Sequence, residues 1–276
     1  MLTGLVGTAL PQRGELSLTI YSVADLRSPA ALARIGRELD RDTDLAFARL
    51  GTSERARAPV TSVEHAFREW RPPPKRSVGG WTFFLSRPRA PRGSGQIDIS
   101  RMDPERGRYE HYASVSYESS WFYDHPDRWE AFADLFRRLA ETMPGFYGNA
   151  HFLAFYLQHR ALMDRARGLR GPGWRLDREI PDVYWLNFFG PAYLERFGDR
   201  LSGLGVRQVP TAHGGLVVWA TERPQVEVVQ AITEYSYKRP FYEALGQDTF
   251  YHEGHTPNEP GERVPSFAEH REHAAG

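Results

Sequence analysis

The sequence predicts an α+β fold, in which a single domain contains a mainly antiparallel sheet with packed helices. Segments that alternate apolar and polar residues come in runs, which is typical of antiparallel sheets with one buried face. Segments with helical spacing of apolar residues lie between some of these runs. The chain has 276 residues, of which 41% are hydrophobic, and can bury a substantial core. We expect a loose leader at 1–13, one compact domain at 14–250 and a polar, flexible tail at 251–276.

The N-terminal part of the chain contains the clearest strand patterns. GELSLTIYS (14–22) alternates like a half-buried strand. Ser28 and Pro29 then form a helix start, and the apolar residues that follow recur at helical spacing. A Pro- and Arg-rich connection comes next. We interpret its least regular segment, WRPPPKRSVGG (70–80), as a long surface loop, and the alternative is a domain boundary. Three more strands are predicted at WTFFLS (81–86), GQIDISR (95–101) and HYASVSYES (111–119).

A second amphipathic helix follows these strands, and Asp124 is placed to cap it. Its apolar stripe consists of Trp129, Phe132, Phe136, Leu139 and Met143. We interpret HFLAFYLQHRALMDRAR (151–167) as mostly helical. The remaining predicted elements are a buried strand in DVYWLNFF (182–189), a helix in AYLERFGDRL (192–201) and a strand in GGLVVWAT (214–221).

Aromatic residues are concentrated in the segment 181–198, PDVYWLNFFGPAYLERFG. A strand that packs on the helix after it would bury them, and each buried large side chain contributes about 1.5–3 kcal/mol. We therefore interpret the cluster as core scaffold, within which Asn187 satisfies a backbone group. The alternative is that the cluster lines a ligand pocket.

Several kinds of chemistry are excluded by the residues present. The chain has no cysteine, which excludes disulfides, thiolate metal sites and a cysteine nucleophile. It also lacks the Gly-Lys-Ser/Thr, Gly-x-Gly-x-x-Gly and Gly-x-Ser-x-Gly motifs of phosphate-binding, dinucleotide-binding and hydrolase sites. Tyr123-Asp124-His125 resembles a catalytic group, but capping of a helix explains Asp124 better.

The histidines are the other candidate ligands. Two pairs lie in the tail with three-residue spacing, and His213 precedes two glycines. A Gly- and Pro-rich tail is a poor platform for zinc, which favours firmly held ligands. We predict no metal and no cofactor. The tail histidines are His252, His255, His270 and His273.

The charge distribution and hydropathy restrict the possible partners. No apolar stretch approaches the roughly 18 residues of a membrane span, and no basic residue precedes the apolar N-terminal residues as in a secretory signal. We predict a cytoplasmic protein without a membrane partner. The formal net charge is zero, but 49–108 is rich in arginine and 222–262 is rich in acidic residues. A solvated surface or a charged partner explains such patches.

A series of short motifs covers 181–246. It runs Tyr-Trp-Leu-Asn-Phe-Phe-Gly, a helix ending in Arg-Phe-Gly, His-Gly-Gly-Leu-Val-Val-Trp-Ala, Glu-Arg-Pro-Gln and then Pro-Phe-Tyr-Glu-Ala-Leu. This series resembles the bacterial type VI immunity family, which is related to the immunity protein 52 group of polymorphic toxin systems. Asn187 stands where many members have threonine, and the loop after Gln225 lacks the family's Gly-Asp-Val-Asn stretch. The matching positions are Trp185, Leu186, Gly190, Phe197, Gly198, Gly214, Gly215, Arg223, Pro224 and Gln225.

The resemblance implies a cytoplasmic immunity protein, or antitoxin. Such a protein binds a cognate bacterial toxin, for instance a nuclease delivered by type VI secretion, and neutralises it by protein–protein interaction. It implies no enzymatic activity, no cofactor and no direct binding to nucleic acid. Two alternatives remain open. One is a hydrolase-like enzyme that uses central Tyr, His and Asp residues, and the other is an adaptor of a secretion or defence locus.

The acidic segment 222–262 is the predicted toxin-binding surface. Toxins that cut nucleic acid present cationic surfaces to phosphate, so carboxylates beside aromatic residues suit an inhibitor. A solvated helix and tail is the alternative, and the Arg-rich region 49–108 is the next candidate surface. The candidate residues are Glu227, Glu234, Tyr235, Tyr237, Tyr242 and Asp248.

Overall fold

The computed structural model describes residues 14–54, 58–71, 80–100, 111–154, 176, 179–225 and 236–250. Within these ranges, ten strands form a single sheet. They are β1 (Glu15–Ser22), β2 (Arg49–Gly51), β3 (Ala58–Pro59), β4 (Trp81–Arg87), β5 (Gly93–Ile99), β6 (His111–Glu118), β7 (Gly145–Phe152), β8 (Leu186–Phe189), β9 (Gln208–Pro210) and β10 (Leu216–Trp219). Their order is β3-β2-β4-β5-β6-β1-β7-β8-β10-β9, and every neighbouring pair is antiparallel. The predicted α+β fold is confirmed.

The helices of the described chain lie on the two faces of this sheet. The first begins as predicted, with Pro29 as its first residue and the Ser28 hydroxyl accepting a hydrogen bond from the Ala31 amide at 3.1 Å. The predicted leader 1–13 and tail 251–276 lie outside the described residues. The helices are α1 (Pro29–Asp40), α2 (Val63–Glu69), α3 (Ser119–Asp124), α4 (Arg128–Thr142), α5 (Pro191–Ser202) and α6 (Arg239–Leu245), and a 3₁₀ turn spans Gln247–Thr249.

The helix predicted at 151–167 was wrong at its start. His151 and Phe152 end the strand β7, which pairs with β1 and β8. All eight residues of β7 are buried, so the strand has no polar face and no alternation that would reveal it. Residues 155–167 lie outside the described part of the chain.

The predicted cap at Asp124 was also wrong. Asp124 is the last residue of α3, and Asp127 occupies the N-cap position of α4. The short helix α3 follows directly on β6 and moves the start of α4 further along the chain. The stripe of apolar residues predicted for this helix is confirmed, because all of its members are buried.

A helix that the sequence pattern does not predict, α2, lies just before 70–80, and most of the predicted loop 70–80 lies outside the described residues. The N-terminus of α2 is capped twice, since the Ser62 hydroxyl accepts from the His65 amide at 3.0 Å and the Asp40 carboxylate accepts from the amides of Val63 and Glu64. Asp40 is the last residue of α1, so this contact joins the two helices. Gly36 lets them approach, because a Cβ there would lie 2.6 Å from the Glu64 nitrogen.

Strand β1 occupies the centre of the sheet. It pairs with β6 over Glu15–Ser22 on one side and with β7 over Leu16–Ser22 on the other. The strands β2 to β6 therefore form one half of the sheet and β7 to β10 form the other. Residues Leu16, Leu18 and Ile20 of β1 point to one face, where they are fully buried.

Two hydrophobic cores lie on opposite faces of the sheet. The larger core contains Leu16, Leu18 and Ile20 with the buried sides of α1, α2 and α4. The smaller core contains the buried sides of α5 and α6. Alternate residues of β10 confirm the arrangement, since Val217 belongs to the larger core and Val218 to the smaller one. The β7–β8–β10 end of the sheet is thus covered by helices on both faces.

Close packing around β7 depends on glycines. A Cβ at Gly148 would lie 2.5 Å from the Ile20 Cδ1 atom, and a Cβ at Gly190 would lie 2.6 Å from the carbonyl oxygen of Gly145. Such distances are too short for carbon contacts, so a side chain at either position would push β7 away from its neighbours.

We predict that Trp185→Ala lowers the free energy of unfolding by about 3–5 kcal/mol, because it leaves a cavity in the core. Trp185 is 1% exposed and its ring packs on Phe132 and Trp129, with centroids 6.0 and 5.8 Å away. Urea unfolding measures the change. Tyr123→Ala is the matched control, since Tyr123 is 39% exposed. Equal effects of the two substitutions would contradict the scaffold role of Trp185.

We predict that His111 lowers the free energy of unfolding in acid. Its Nδ1 atom accepts a hydrogen bond from the Ser100 amide at 3.0 Å, and burial lowers the pKa of His111 to about 4. The unfolded chain has a pKa of about 6.5 at this residue, so protonation below pH 6.5 favours unfolding. The free energy of unfolding therefore falls by about 2 kcal/mol between pH 7.5 and pH 5.

Urea unfolding of the wild type and of His111→Asn at both pH values isolates this contribution. The asparagine amide oxygen can still accept from the Ser100 amide, but it does not titrate. We expect a smaller pH dependence in the variant. The same pH dependence in both proteins would show that His111 is not responsible.

Candidate functional site

The half of the sheet that contains β2 to β6 and β1 has a polar face. On the side away from α1, α2 and α4, the strand residues that alternate with the buried core positions are mostly hydroxyl, amide, carboxylate and tyrosine side chains. Strand register brings them together on one surface, which we call the outer face. Its members are Glu15, Ser17, Thr19, Tyr21, Thr82, Phe84, Ser86, Ser94, Gln96, Asp98, Tyr112, Ser114, Ser116 and Glu118.

Side chains on the outer face are linked by hydrogen bonds between neighbouring strands. Thr19 of β1 donates to the Ser114 hydroxyl of β6 at 3.0 Å. Further along the same strand pair, the Ser116 hydroxyl donates to the Glu15 carboxylate at 2.6 Å. The links on the β4–β5–β6 side are Ser94 to Ser116 at 3.2 Å, Gln96 to Tyr112 at 2.6 Å and Thr82 to Asp98 at 2.9 Å. These contacts hold the polar side chains in fixed positions.

Three carboxylates lie on the central strands of the outer face. Glu15 and Glu118 stand directly opposite each other in the β1–β6 pair, an arrangement that is destabilising for like charges. Asp98 accepts hydrogen bonds from the hydroxyls of Thr82 and Ser100. Within the described ranges, neither Glu15 nor Asp98 forms an ion pair.

Two arginines lie at the margins of this group. Arg92 precedes β5 and is 3.9 Å from Glu118, with 78% of its side chain exposed. Arg49 lies on β2 opposite Ser86, near the far edge of the sheet. By register, Glu15 and Glu118 lie at one end of the outer face and Asp98 lies at the other end, so its middle carries neutral side chains such as Thr19 and Ser114.

A buried ion pair occupies the other half of the molecule. The Lys238 ammonium lies 2.5 Å from the Asp182 carboxylate, and the two side chains are 0% and 2% exposed. Asp182 also accepts hydrogen bonds from the Tyr242 hydroxyl and the Val183 amide, each at 2.7 Å. These contacts attach α6 to the segment before β8. Because both charged side chains are buried, we interpret the ion pair as a contact that stabilises the fold.

The predicted toxin-binding residues fall in and around α6. Tyr242 is tied to Asp182, and its ring meets that of Phe250 edge-on, with centroids 4.8 Å apart. Tyr237 is half-buried, and Asp248 is exposed in the 3₁₀ turn. The structure therefore gives Tyr242 a clear role in holding α6. The other predicted residues, Glu227, Glu234 and Tyr235, lie outside the described part of the chain.

The predicted signature residues of 185–225 have varied roles. Asn187 satisfies the backbone as predicted, because its side chain accepts from the Tyr184 amide at 3.0 Å and donates to the Tyr184 carbonyl at 2.8 Å. Gly214 has a φ of +76°, which favours glycine. A Cβ at Gly215 would lie 2.5 Å from the Phe188 ring. Gly198, in contrast, is not crowded, since a Cβ there would make an ordinary contact with the Leu194 Cβ atom at 3.9 Å.

The Arg-Pro-Gln turn follows β10. Thr221 donates to the carbonyl oxygen of Arg223 at 2.7 Å, and Pro224 is buried. The turn therefore ends β10 with its own local hydrogen bond.

The candidate catalytic residues lie in two places: Tyr123, Asp124 and His125 are at the end of α3, and His213 is in the turn between β9 and β10. His125 stacks on Trp121 and its Nδ1 atom contacts the Trp121 carbonyl oxygen at 2.8 Å. His213 lies in an exposed turn. Among the residues with described positions, no three His, Asp or Glu side chains form a metal-binding group. The described helices include none that is long and apolar enough to cross a membrane.

Comparison with known proteins shows similarity at the level of structure. No protein-family model matches the chain. No curated protein matches it. The structure is similar to the T6SS protein PA0821 of Pseudomonas aeruginosa, with a TM-score of 0.54 and 17% sequence identity. The match covers 92% of this chain and 80% of that one. At this level of identity, the similarity shows a shared fold.

We predict that Lys238→Met lowers the free energy of unfolding by about 3–5 kcal/mol, because it leaves the Asp182 carboxylate buried without a cation. The double variant Asp182→Asn/Lys238→Met should recover much of this loss, since asparagine is neutral and still accepts hydrogen bonds. Urea unfolding of the wild type, both single variants and the double variant measures the coupling. Additive effects of the two substitutions would contradict the importance of the ion pair.

Proposed function

We propose that this chain is an immunity protein of a type VI secretion system, which binds a cognate toxin in the cytoplasm and neutralises it by protein–protein contact. The observation that carries the proposal is the fold shared with the T6SS protein of Pseudomonas aeruginosa, which extends over 92% of this chain. The motif order of 181–246 supports the same assignment. In this proposal the protein acts by forming a complex and not by turnover.

The composition of the outer face supports a binding role. Serine and tyrosine dominate the binding surfaces of antibodies, because tyrosine contributes contact area at a low entropic cost and serine adapts its hydrogen bonding. The outer face carries the same residue types, with Tyr21 and Tyr112 beside several serines. Their placement on paired strands gives a rigid platform, which reduces the entropy lost on binding.

We predict that a toxin gene lies beside the gene for this chain and that this chain protects cells from that toxin. Co-expression should restore growth, and the purified proteins should form a stable complex in which the toxin is inactive. Size-exclusion chromatography and a toxin activity assay measure the two effects. A toxin from an unrelated locus is the control for specificity.

Two results would contradict this function. A complex in which the toxin stays fully active would favour an adaptor. Inhibition by far less than one immunity chain per toxin would favour an enzyme.

A further inference from the structure

Residues 121–129 join α3 to α4, and we call them the α3–α4 corner. Resting on the proposed function, we propose that this corner is a contact surface for the toxin. In this proposal the Tyr123 ring and the carboxylates of Asp124 and Asp127 receive an arginine or lysine side chain of the toxin. The corner differs from the acidic segment 222–262 that the sequence indicates.

The exposure of Tyr123 is the first observation that supports this contact. Among the residues that the structure describes, Tyr123 is the one large hydrophobic side chain that is exposed. Its ring leaves apolar area in water that a partner can cover. Tyrosine is also one of the residue types that contribute most to the binding energy of interfaces. The corner therefore presents an aromatic anchor on the protein surface.

The Tyr123 ring is held in place by the core beneath it. It meets the Trp129 ring edge-on, with centroids 5.5 Å apart. Trp129 is buried and packs in turn on Phe122 and Trp185, with centroids 5.2 and 5.8 Å away. A side chain that is already fixed loses little entropy when a partner binds it.

The rest of the corner is ordered by its own contacts. The His125 ring stacks on Trp121 with centroids 4.5 Å apart, and the His125 amide donates to the Trp121 carbonyl oxygen at 3.0 Å. The Arg128 amide donates to the His125 carbonyl oxygen at 2.9 Å, and its guanidinium lies 2.7 Å from Asp42 and 3.1 Å from Asp44. These contacts hold the turn that carries the two exposed carboxylates.

The charges of the corner define the chemistry of the partner. Asp124 and Asp127 are exposed, and within the described ranges neither forms an ion pair. Arg128, the nearest arginine in the sequence, is held by other carboxylates. Aromatic faces attract cations and arginine stacks on them, while carboxylates accept strong hydrogen bonds from guanidinium and ammonium groups. A fixed ring beside two carboxylates therefore suits a cationic side chain.

The corner adjoins the outer face. Glu118 is the last residue of β6, and α3 begins at the next residue. Tyr123 therefore lies five helical residues beyond Glu118, an axial rise of about 7.5 Å. Since Glu15 and Glu118 lie at this end of the outer face, one toxin surface can cover that end and the corner together.

The test uses the full-length chain and, as the probe, the toxin domain predicted beside its gene, carrying an inactivating substitution. Tyr123→Ala should weaken binding about tenfold or more, because it removes the anchor. Tyr123→Phe keeps the ring and should bind within about threefold of the wild type. Isothermal titration calorimetry measures the affinities, and thermal melting checks that both variants are folded.

A second variant tests the carboxylates without a change of shape. Asp124→Asn/Asp127→Asn should weaken binding about threefold to tenfold and reduce its salt sensitivity. The Asp127 side chain makes no capping hydrogen bond to α4, so this variant keeps the helix start intact. Asp199→Asn is the matched control and should bind like the wild type, since Asp199 is exposed on α5, on the other side of the sheet.

A double-mutant cycle identifies the group on the toxin. Each arginine or lysine on the toxin surface is replaced by alanine, and binding is measured to the wild type and to Tyr123→Ala. We expect one cation whose replacement weakens binding to the wild type but has little further effect on binding to Tyr123→Ala. Additive effects for every cation would overturn the proposed contact.

The remaining outcomes separate the two proposals. If no toxin gene lies beside this gene, or if the wild type does not bind the toxin domain, the proposed immunity function is wrong. If the wild type binds and the corner variants bind equally well, or if only Glu227→Lys/Glu234→Lys loses binding, the function stands and the corner is not the interface. Weak binding of Tyr123→Ala with normal binding of the asparagine variant would show that the ring enters an apolar pocket, and would overturn the assignment of a cationic group.

Discussion

The burial of β7 on both faces is the constraint on which the rest of the structure depends. A strand between two helical layers must be apolar or small throughout, and it must let its neighbours approach closely. Gly148 leaves room for the Ile20 side chain of β1. Gly190 lets its own segment lie close to the β7 backbone at Gly145. The helix α4 is thereby fixed on one side of the sheet and α5 on the other. The position of α5 in turn decides which part of the sheet receives a second helical layer.

The outer face begins where that second layer ends. Its polar side chains satisfy one another across the strands, as Thr19 does with Ser114, and this keeps them ordered. Ordered polar groups on a rigid sheet lose little entropy when a partner binds them. The same arrangement places Glu15 opposite Glu118, which makes the isolated protein less stable than a neutral pair would.

The sequence predicts those features whose signal is local. Strands β1, β4, β5 and β6 each have one buried and one polar face, so their alternation is visible. Asn187 was interpreted correctly because its partner, Tyr184, is three residues away. Strand β7 lacks alternation, and the start of α2 depends on a carboxylate at the end of another helix. The pairing of Asp182 with Lys238 spans 56 positions, and the meeting of Glu15 with Glu118 depends on strand order. Neither is visible in a pattern of neighbouring residues.

The central place of β1 has a consequence for synthesis of the protein. Thr19 and its contact Ser114 are 95 positions apart, so a ribosome working at about 5–20 residues per second exposes β1 about 5–20 seconds before its partner β6. During this time Leu16, Leu18 and Ile20 have no sheet to join. Folding of the sheet must wait for late, long-range pairing, which is slow. The nascent chain therefore exposes these apolar residues until β6 and β7 have been made.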